Sequence, residues 1–315
     1  MTIMRPVISV VIPTYNEKDS VTRLHAELLS ALESLGKPYE ILFVDDGSTD
    51  GTGEELRKLH PAKIITLRKN FGQTAAFDVG FKMAKGDIFI SMDADGQNNP
   101  DDIPILLHLL TKDVDVVCGW RYDRKDPFIK KFFSAGARAI RKILLKDSLH
   151  DAGCSLRVYR RDALSDLDLY GEMHRFIPTI LALRGFSVIE QRVTHRKRGA
   201  GVTKYNWRRV FKSFADMLNI WFLYTYRARP LHLLGSMGFF FFSIGSLLTI
   251  YFFTIRIFFG EALAGRVLPI ASLFLILFGV QLFVTGLLSD MITRHYHSTT
   301  DEKSYFVKDV SENHA

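Results

Sequence analysis

The stretch DIFISMDADGQNNPDD (Asp87–Asp102) is an apolar run that closes on two aspartates one residue apart and then turns polar. A short apolar run bounded by turn residues reads as a buried strand. Asp-x-Asp followed by Gly, Asn and Pro is ordinary turn chemistry. The same two carboxylates, set at a strand tip, also suit a divalent cation. Which reading holds depends on what the rest of the chain brings to that tip.

Working outward, four more runs have the same character: VISVVIPTY (7–15), EILFVDD (40–46), AKIITLR (62–68) and DVVCG (115–119). Helix-like stretches lie between them, at Glu17–Leu35, Gly51–Leu59, Gly72–Lys85 and Asp102–Leu110. Strand and helix in alternation predict an α/β unit with a mostly parallel, Rossmann-like sheet and helices on both faces. Ligands of such sheets bind beyond the carboxyl ends of the strands. The polar clusters at those ends are Thr14–Glu17, Asp45–Asp50, Arg68–Gly72 and Asp93–Gln97. A parallel sheet brings them to one edge, so Asp93 and Asp95 would not stand alone. Asp45 and Asp46 have two open readings, hydrogen bonding to a nucleoside or capping the helix that follows.

The chain has 315 residues, enough for one large domain or two modest ones. Its 41 Lys and Arg against 34 Asp and Glu give a net charge of +7, which points to an anionic partner. Cys118 and Cys154 have neither a CxxC nor a metal-site spacing and read as buried reduced thiols. The N-terminal apolar run reads as a first strand rather than a signal peptide, which keeps the catalytic-looking part cytosolic.

From Leu233 to Ile255, and again from Val267 to Ser289, the chain carries no charge. As a helix each segment would be about 34 Å long, enough for a hydrocarbon core of roughly 30 Å. The short connector, Arg256–Arg266, makes a hairpin with both ends on one side. Basic residues before the first span (Arg208, Arg209, Lys212, Arg227 and Arg229) favour a cytoplasmic N-terminal unit. Two basic amphipathic stretches, one over 128–146 and one over 207–230, read as interfacial helices. The expected organisation is a catalytic domain over 1–206, an interfacial helix over 207–230, two spans within 231–290 and a cytoplasmic tail over 291–315. The positive charge then serves phospholipid headgroups and substrate phosphates, and nucleic acid is not needed as a partner.

VVIPTYNE, ILFVDDGSTDGT, LRKNFGQTAA, SMDADGQNNP, DAGCSLRVYRR, GEMHRFIP and HRKRGAGVTKY occur in this order. The ordered set resembles the inverting family 2 glycosyltransferases of the dolichol-phosphate mannose synthase and bacterial undecaprenyl-phosphate glycosyltransferase branch. The resemblance covers essentially the whole chain. It implies a GT-A catalytic domain, Mg²⁺ or Mn²⁺ as cofactor, and transfer of a sugar from a nucleotide donor to undecaprenyl or dolichyl phosphate at the cytoplasmic membrane face. Relatives of this two-span type can assemble as tetramers.

Carried over position by position, the resemblance makes Pro13, Tyr15, Glu17, Asp45 and Asp46 nucleotide-binding residues, and Asp93, Asp95 and Gln97 the metal set. Arg121, Lys130 and Ser134 become lipid-phosphate contacts. Asp151 and Arg198 line the reaction centre with catalytic Asp95, and Arg198 and Lys204 contact the donor diphosphate. His174, Arg175 and His195 have phosphate-contact and structural readings. Three positions depart from the family: Gly96 replaces Leu, Lys130 replaces Arg and Thr203 replaces Ser. An ammonium at Lys130 would act as a point charge where Arg grips bidentately.

Because the acceptor phosphate is already ionised, little general-base help is needed, and Asp151 is expected to orient a substrate. Glucose, mannose, N-acetylglucosamine and a modified arabinose all pass through similar motifs. UDP-glucose is the first expectation for the donor and GDP-mannose the second. Two alternatives are a processive polysaccharide synthase and a catalytically silent membrane scaffold. The first expects a Gln-x-x-Arg-Trp motif and more spans, and neither is found. The second gives no reason to keep Asp93, Asp95 and Gln97 together.

Overall fold

The computed structural model describes residues 7–122, 140–142, 144–145, 147, 149–169, 171–196, 217–222, 225–226, 230–260 and 267–299. The chain divides into two compact units, 1–218 and 219–315.

In the first unit the five expected strands form where the apolar runs place them: β1 (Ile8–Thr14), β2 (Tyr39–Asp45), β3 (Lys63–Thr66), β4 (Ile88–Ser91) and β5 (Val116–Trp120). The four expected helices are α1 (Lys18–Glu33), α2 (Thr52–Leu56), α3 (Gln73–Met83) and α4 (Ile103–Leu109). The described residues of this unit also form two further strands, β6 (Arg157–Arg160) and β7 (Val188–Arg192), and two short helices, α5 (Arg161–Leu164) and α6 (Ile177–Leu183).

The sheet order is β3-β2-β1-β4-β6-β5-β7. β1 pairs in parallel with β2 and β4, β2 with β3, and β5 with β7, while β6 runs antiparallel to both β4 and β5. β1 is buried along its whole length, as a central strand covered on both faces must be. Its residues alternate between faces: Val10 and Ile12 join the cluster that holds Val21, Leu24, Leu28 and Leu32 of α1. Val11 meets α3 instead, beneath Gly80. The cluster under α1 is closed by Ile41 and Phe43 of β2, Ile90 of β4, and Ile103 and Leu106 of α4.

One consequence of this topology governs the site. The parallel strands end at a common edge, and because β6 runs the other way, the loop that enters it also lies there. Residues 151–156 therefore join the ends of β1, β2 and β4.

The second unit is dominated by α7 (Pro230–Phe259) and α8 (Val267–Thr299), each carrying a stretch long and apolar enough to cross a bilayer. Both expected spans lie inside these helices. Large apolar side chains such as Phe239, Ile250, Leu268 and Phe274 are exposed along them, as lipid-facing residues would be. Ser272, Gly279 and Gly286 recur at heptad spacing on α8 and meet Gly245, Gly238 and Gly235 of α7. A Cβ built on Gly279 would fall 2.6 Å from both Gly238 O and Phe242 N, so backbone meets backbone at the crossing. The Thr249 and Ser272 hydroxyls lie 2.9 Å apart across the pair. Small residues that admit close backbone approach, with a hydroxyl pair between helices, are how helices associate where no hydrophobic effect drives them.

Of the two expected interfacial helices, residues 140–142, 144–145, 217–222 and 225–226 are described and helical. The rest of both stretches lies outside the described residues.

Gly279→Leu should open the α7–α8 crossing and lower the thermal unfolding temperature of the detergent-solubilised protein by several degrees. Leu277→Ala, at a position 65% exposed, should leave it unchanged.

Candidate active site

At the common strand edge lies a cleft of about 570 Å³. Pro13, Tyr15, Glu17 and Asp46 line one side of it, and Asp93, Asp95 and Gln97 line its acidic end. Arg121, Arg157, His174 and Arg175 bring positive charge or ring nitrogens to the same space. One cleft thus gathers most of the residues expected from the sequence.

The ends of β1 and β2 are laced together by local hydrogen bonds. Asn16, with φ 55°, adopts the left-handed conformation that Asn tolerates well. Its amide N–H donates to Ser48 Oγ (3.0 Å), and its side-chain oxygen accepts from Thr49 N (2.8 Å). Asp45 does not line the cleft; its Oδ1 accepts from Ser48 N (3.0 Å) and closes that turn. Asp46 lines the cleft, and its two oxygens accept from Phe71 N (2.7 Å) and Gly72 N (2.9 Å), fastening the loop that leads into α3. Neither caps α2. The N-cap is Gly51, and Asp50 just before it accepts from Thr52 N at 2.9 Å.

The carboxylate pair is held from several directions. Gln73, at the start of α3, donates its Nε2 to Asp93 Oδ1 (2.6 Å), and Asp93 N donates to Ser155 Oγ (3.2 Å). Asp95 Oδ1 accepts from Gln97 N (3.1 Å). Gly96 closes that turn with a left-handed φ of 71°, which glycine adopts without a steric penalty. Burial first, and the charge of Asp95 second, hold the Asp93 carboxyl above its ordinary pKa. Among the described residues no group of three or more His, Cys, Asp and Glu side chains forms a cage. Two carboxylates and the Gln97 amide oxygen are hard donors of the kind Mg²⁺ and Mn²⁺ take, and such ions complete their shells with substrate phosphates and water. The donor set fits such an ion.

Asp151 departs from expectation. It is buried, only 8% exposed, and does not line the cleft. Its two oxygens accept from Arg121 Nε (2.7 Å) and Nη2 (2.9 Å) in a bidentate pair, which aims Arg121 at the cleft from behind. Glu190 of β7 secures this arrangement by accepting from the N–H groups of His150 (2.8 Å) and Asp151 (3.0 Å). Lys130, Ser134, Arg198, Thr203 and Lys204 lie outside the described residues.

Sequence reasoning missed Arg157. This guanidinium is buried and donates to the carbonyls of His174 (2.9 Å) and Ala152 (2.6 Å), tying together the two loops that wall the cleft. It sits on β6, a strand whose two buried faces leave no alternation to read. His174 is fixed by Thr74, with Oγ1 and Nδ1 2.7 Å apart, and its ring stacks near Phe77. His195 forms an isolated bridge with Asn98. Cys118 and Cys154 are free and buried, and burial pushes their thiols up to about 12 and about 11. They stay protonated and inert.

The family model for glycosyl transferase family 2 matches residues 9–168. The chain is 36% identical to a dodecaprenyl-phosphate galacturonate synthase of Rhizobium johnstonii, over 96% of this chain and 92% of that protein. It is 35% identical to an undecaprenyl-phosphate 4-deoxy-4-formamido-L-arabinose transferase of Pectobacterium atrosepticum, with the same coverage. Among solved structures it resembles a mannosyl-3-phosphoglycerate synthase from Rubrobacter xylanophilus (TM-score 0.55, 17% identity, 68% of this chain and 73% of that one). It also resembles a glucosyl-3-phosphoglycerate synthase from Mycobacterium tuberculosis crystallised with Mn²⁺, UDP and glucosyl-3-phosphoglycerate (TM-score 0.53, 16% identity, 70% and 80%). The chain therefore belongs to glycosyl transferase family 2, with a catalytic unit of the GT-A fold.

Proposed function

We propose that this enzyme transfers a sugar from a nucleotide donor to the phosphate of a membrane polyprenyl lipid. The observation that carries the proposal is a single cleft with a carboxylate pair at one end and Arg121, Arg157 and Arg175 around the rest, in a chain followed by two membrane-capable helices. The acidic end suits a cation on the donor diphosphate, and the basic part suits an anionic acceptor. The two bacterial relatives, named for polyprenyl-phosphate products or acceptors, support the acceptor class. They also move the donor away from the glucose and mannose expected from the motifs and toward a galacturonate or formamido-arabinose type.

Asp93, Asp95 and Gln97 would hold Mg²⁺ or Mn²⁺, which neutralises charge that grows on the departing diphosphate. Pro13, Tyr15 and Glu17 flank the nucleoside, and Asp46 shapes that wall by fastening the 71–72 backbone. Arg121 steadies the acceptor phosphate. Asp151 holds the Arg121 fork in place and leaves proton removal to no one, because the acceptor is already ionised. Attack opposite the leaving group inverts the anomeric carbon, so an α-linked donor gives a β-linked lipid. The catalytic unit works at the cytoplasmic face, where nucleotide sugars are made.

Incubating membranes with a panel of radiolabelled nucleotide sugars should put label from a uronate or formamido-arabinose donor into a lipid fraction. NMR of that lipid should show the inverted anomer. Label that reaches only polymer, or a retained anomer, would refute the proposal. Asp95→Ala should lower metal-dependent transfer by at least 100-fold while membrane insertion persists; full activity of that variant in EDTA would overturn the metal assignment.

An acid whose pKa is higher folded than unfolded destabilises the fold above the folded pKa, and this cost vanishes as pH falls below the unfolded value. Asp93→Asn should therefore raise the unfolding temperature of the EDTA-treated protein near pH 7, with the gain fading toward acid, while abolishing Mn²⁺ binding.

A further inference from the structure

We infer that Arg196 is a positioning residue for the Asp95 carboxylate, acting through the backbone of Gln97; the inference rests on the reading of Asp93 and Asp95 as cation ligands. In the sequence Arg196 opens the basic run RKRG, which has the composition of a solvated face. The structure gives it a different place.

The Gln97 residue is gripped at both of its backbone groups. Its N–H donates to Asp95 Oδ1 (3.1 Å), and its carbonyl accepts from Arg196 N (2.9 Å). The orientation of the Asp95 carboxylate is thus set by a residue whose other side is fixed by Arg196. Gly96, with φ 71°, puts the chain into a conformation that brings the Gln97 N–H back to Asp95. Neither bond belongs to the regular sheet, so the loop depends on this cross-tie.

Arg196 is in turn anchored by its side chain. Nη1 pairs with Glu27 Oε2 of α1 at 2.7 Å, and Nη2 donates to Asn99 Oδ1 at 2.5 Å. Both members of the ion pair are under a third exposed, at 29% and 28%. The planar guanidinium spans a rigid helix on one side and the metal loop on the other, a reach that a point charge cannot reproduce.

Neighbouring contacts reinforce the same strap. Thr194 N donates to Asp102 Oδ2 (2.7 Å), and His195 bridges Asn98. From the opposite side Asn98 Nδ2 donates to Ser155 Oγ (2.7 Å), the hydroxyl that also accepts from Asp93 N. Residues 97–102 are therefore clamped between the strap after β7 and the loop before β6. Asp93 takes its orientation from Gln73 and Ser155, and Asp95 takes its own from Gln97 and Arg196.

The test is Mn²⁺ binding, with Mn²⁺ alone as the probe, followed by EPR on the detergent-solubilised full chain. Partners that orient ligands typically change metal affinity by about 10- to 100-fold. Arg196→Ala and Glu27→Ala should each weaken Mn²⁺ binding by about tenfold, and the double variant should be no worse than either alone, as members of one pair behave. Arg196→Lys, which keeps the ion pair and loses the fork to Asn99, should fall between. Thermal unfolding of the same samples separates a positioning role from a structural one. If the wild type binds Mn²⁺ and the variants bind it equally well, or lose only thermal stability, the strap is overturned while the cation reading stands. If the wild type binds no Mn²⁺, the cation reading falls and takes the inference with it.

Discussion

Two carboxylates one residue apart, at the end of a buried strand, are an unfavourable arrangement unless something else in the site answers for it. Burial and mutual repulsion both work against the ionised form of Asp93. The surroundings hold the pair in place all the same. Gln73 comes from the helix after β3, Ser155 from the loop before β6, and the Gln97 backbone from the Gly96 turn. Separate parts of the chain thus converge on a pair that local energetics disfavour. Such a concentration of constraint would suit the proposed cation-dependent step, in which the geometry would have to be present before the ion and its phosphates arrive.

The same principle explains the cationic side of the cleft. Arg121 and Asp151 form a tight pair in which the carboxylate is hidden and the guanidinium is presented. Arg157 is spent on backbone carbonyls of the two flanking loops. Positive charge is retained near the cleft while each guanidinium has fixed partners, so little reorganisation accompanies the entry of an anion.

Much of this was legible in the sequence. The first five strands and four helices follow directly from apolar runs closed by turn residues, and a parallel sheet made the convergence of Thr14–Glu17 and Asp93–Gln97 a geometric necessity. The spans needed only length and absence of charge. What escaped was the antiparallel β6 and everything it positions. Arg157 and Tyr159 are buried on a strand covered on both faces, so no polar and apolar alternation marks it. Roles that depend on long-range partners were equally hidden: nothing local says that Asp151 binds Arg121, or that Arg196 reaches Glu27. Asp45 and Asp46 show the opposite case, where both open readings were local and the answer lay in which backbone N–H groups came within reach.

The strand order carries a further implication for how the molecule comes into being. β4 and β5 follow one another in the chain but are not neighbours; β6 lies between them. During synthesis the β4 edge must wait for a segment more than 60 residues downstream before its open N–H and C=O groups are met. An unpaired hydrophobic strand edge is an invitation to intermolecular pairing. Between emergence of Ser91 and of Arg157 the nascent chain therefore carries an open β4 edge, which its own later segment must reach before another chain does.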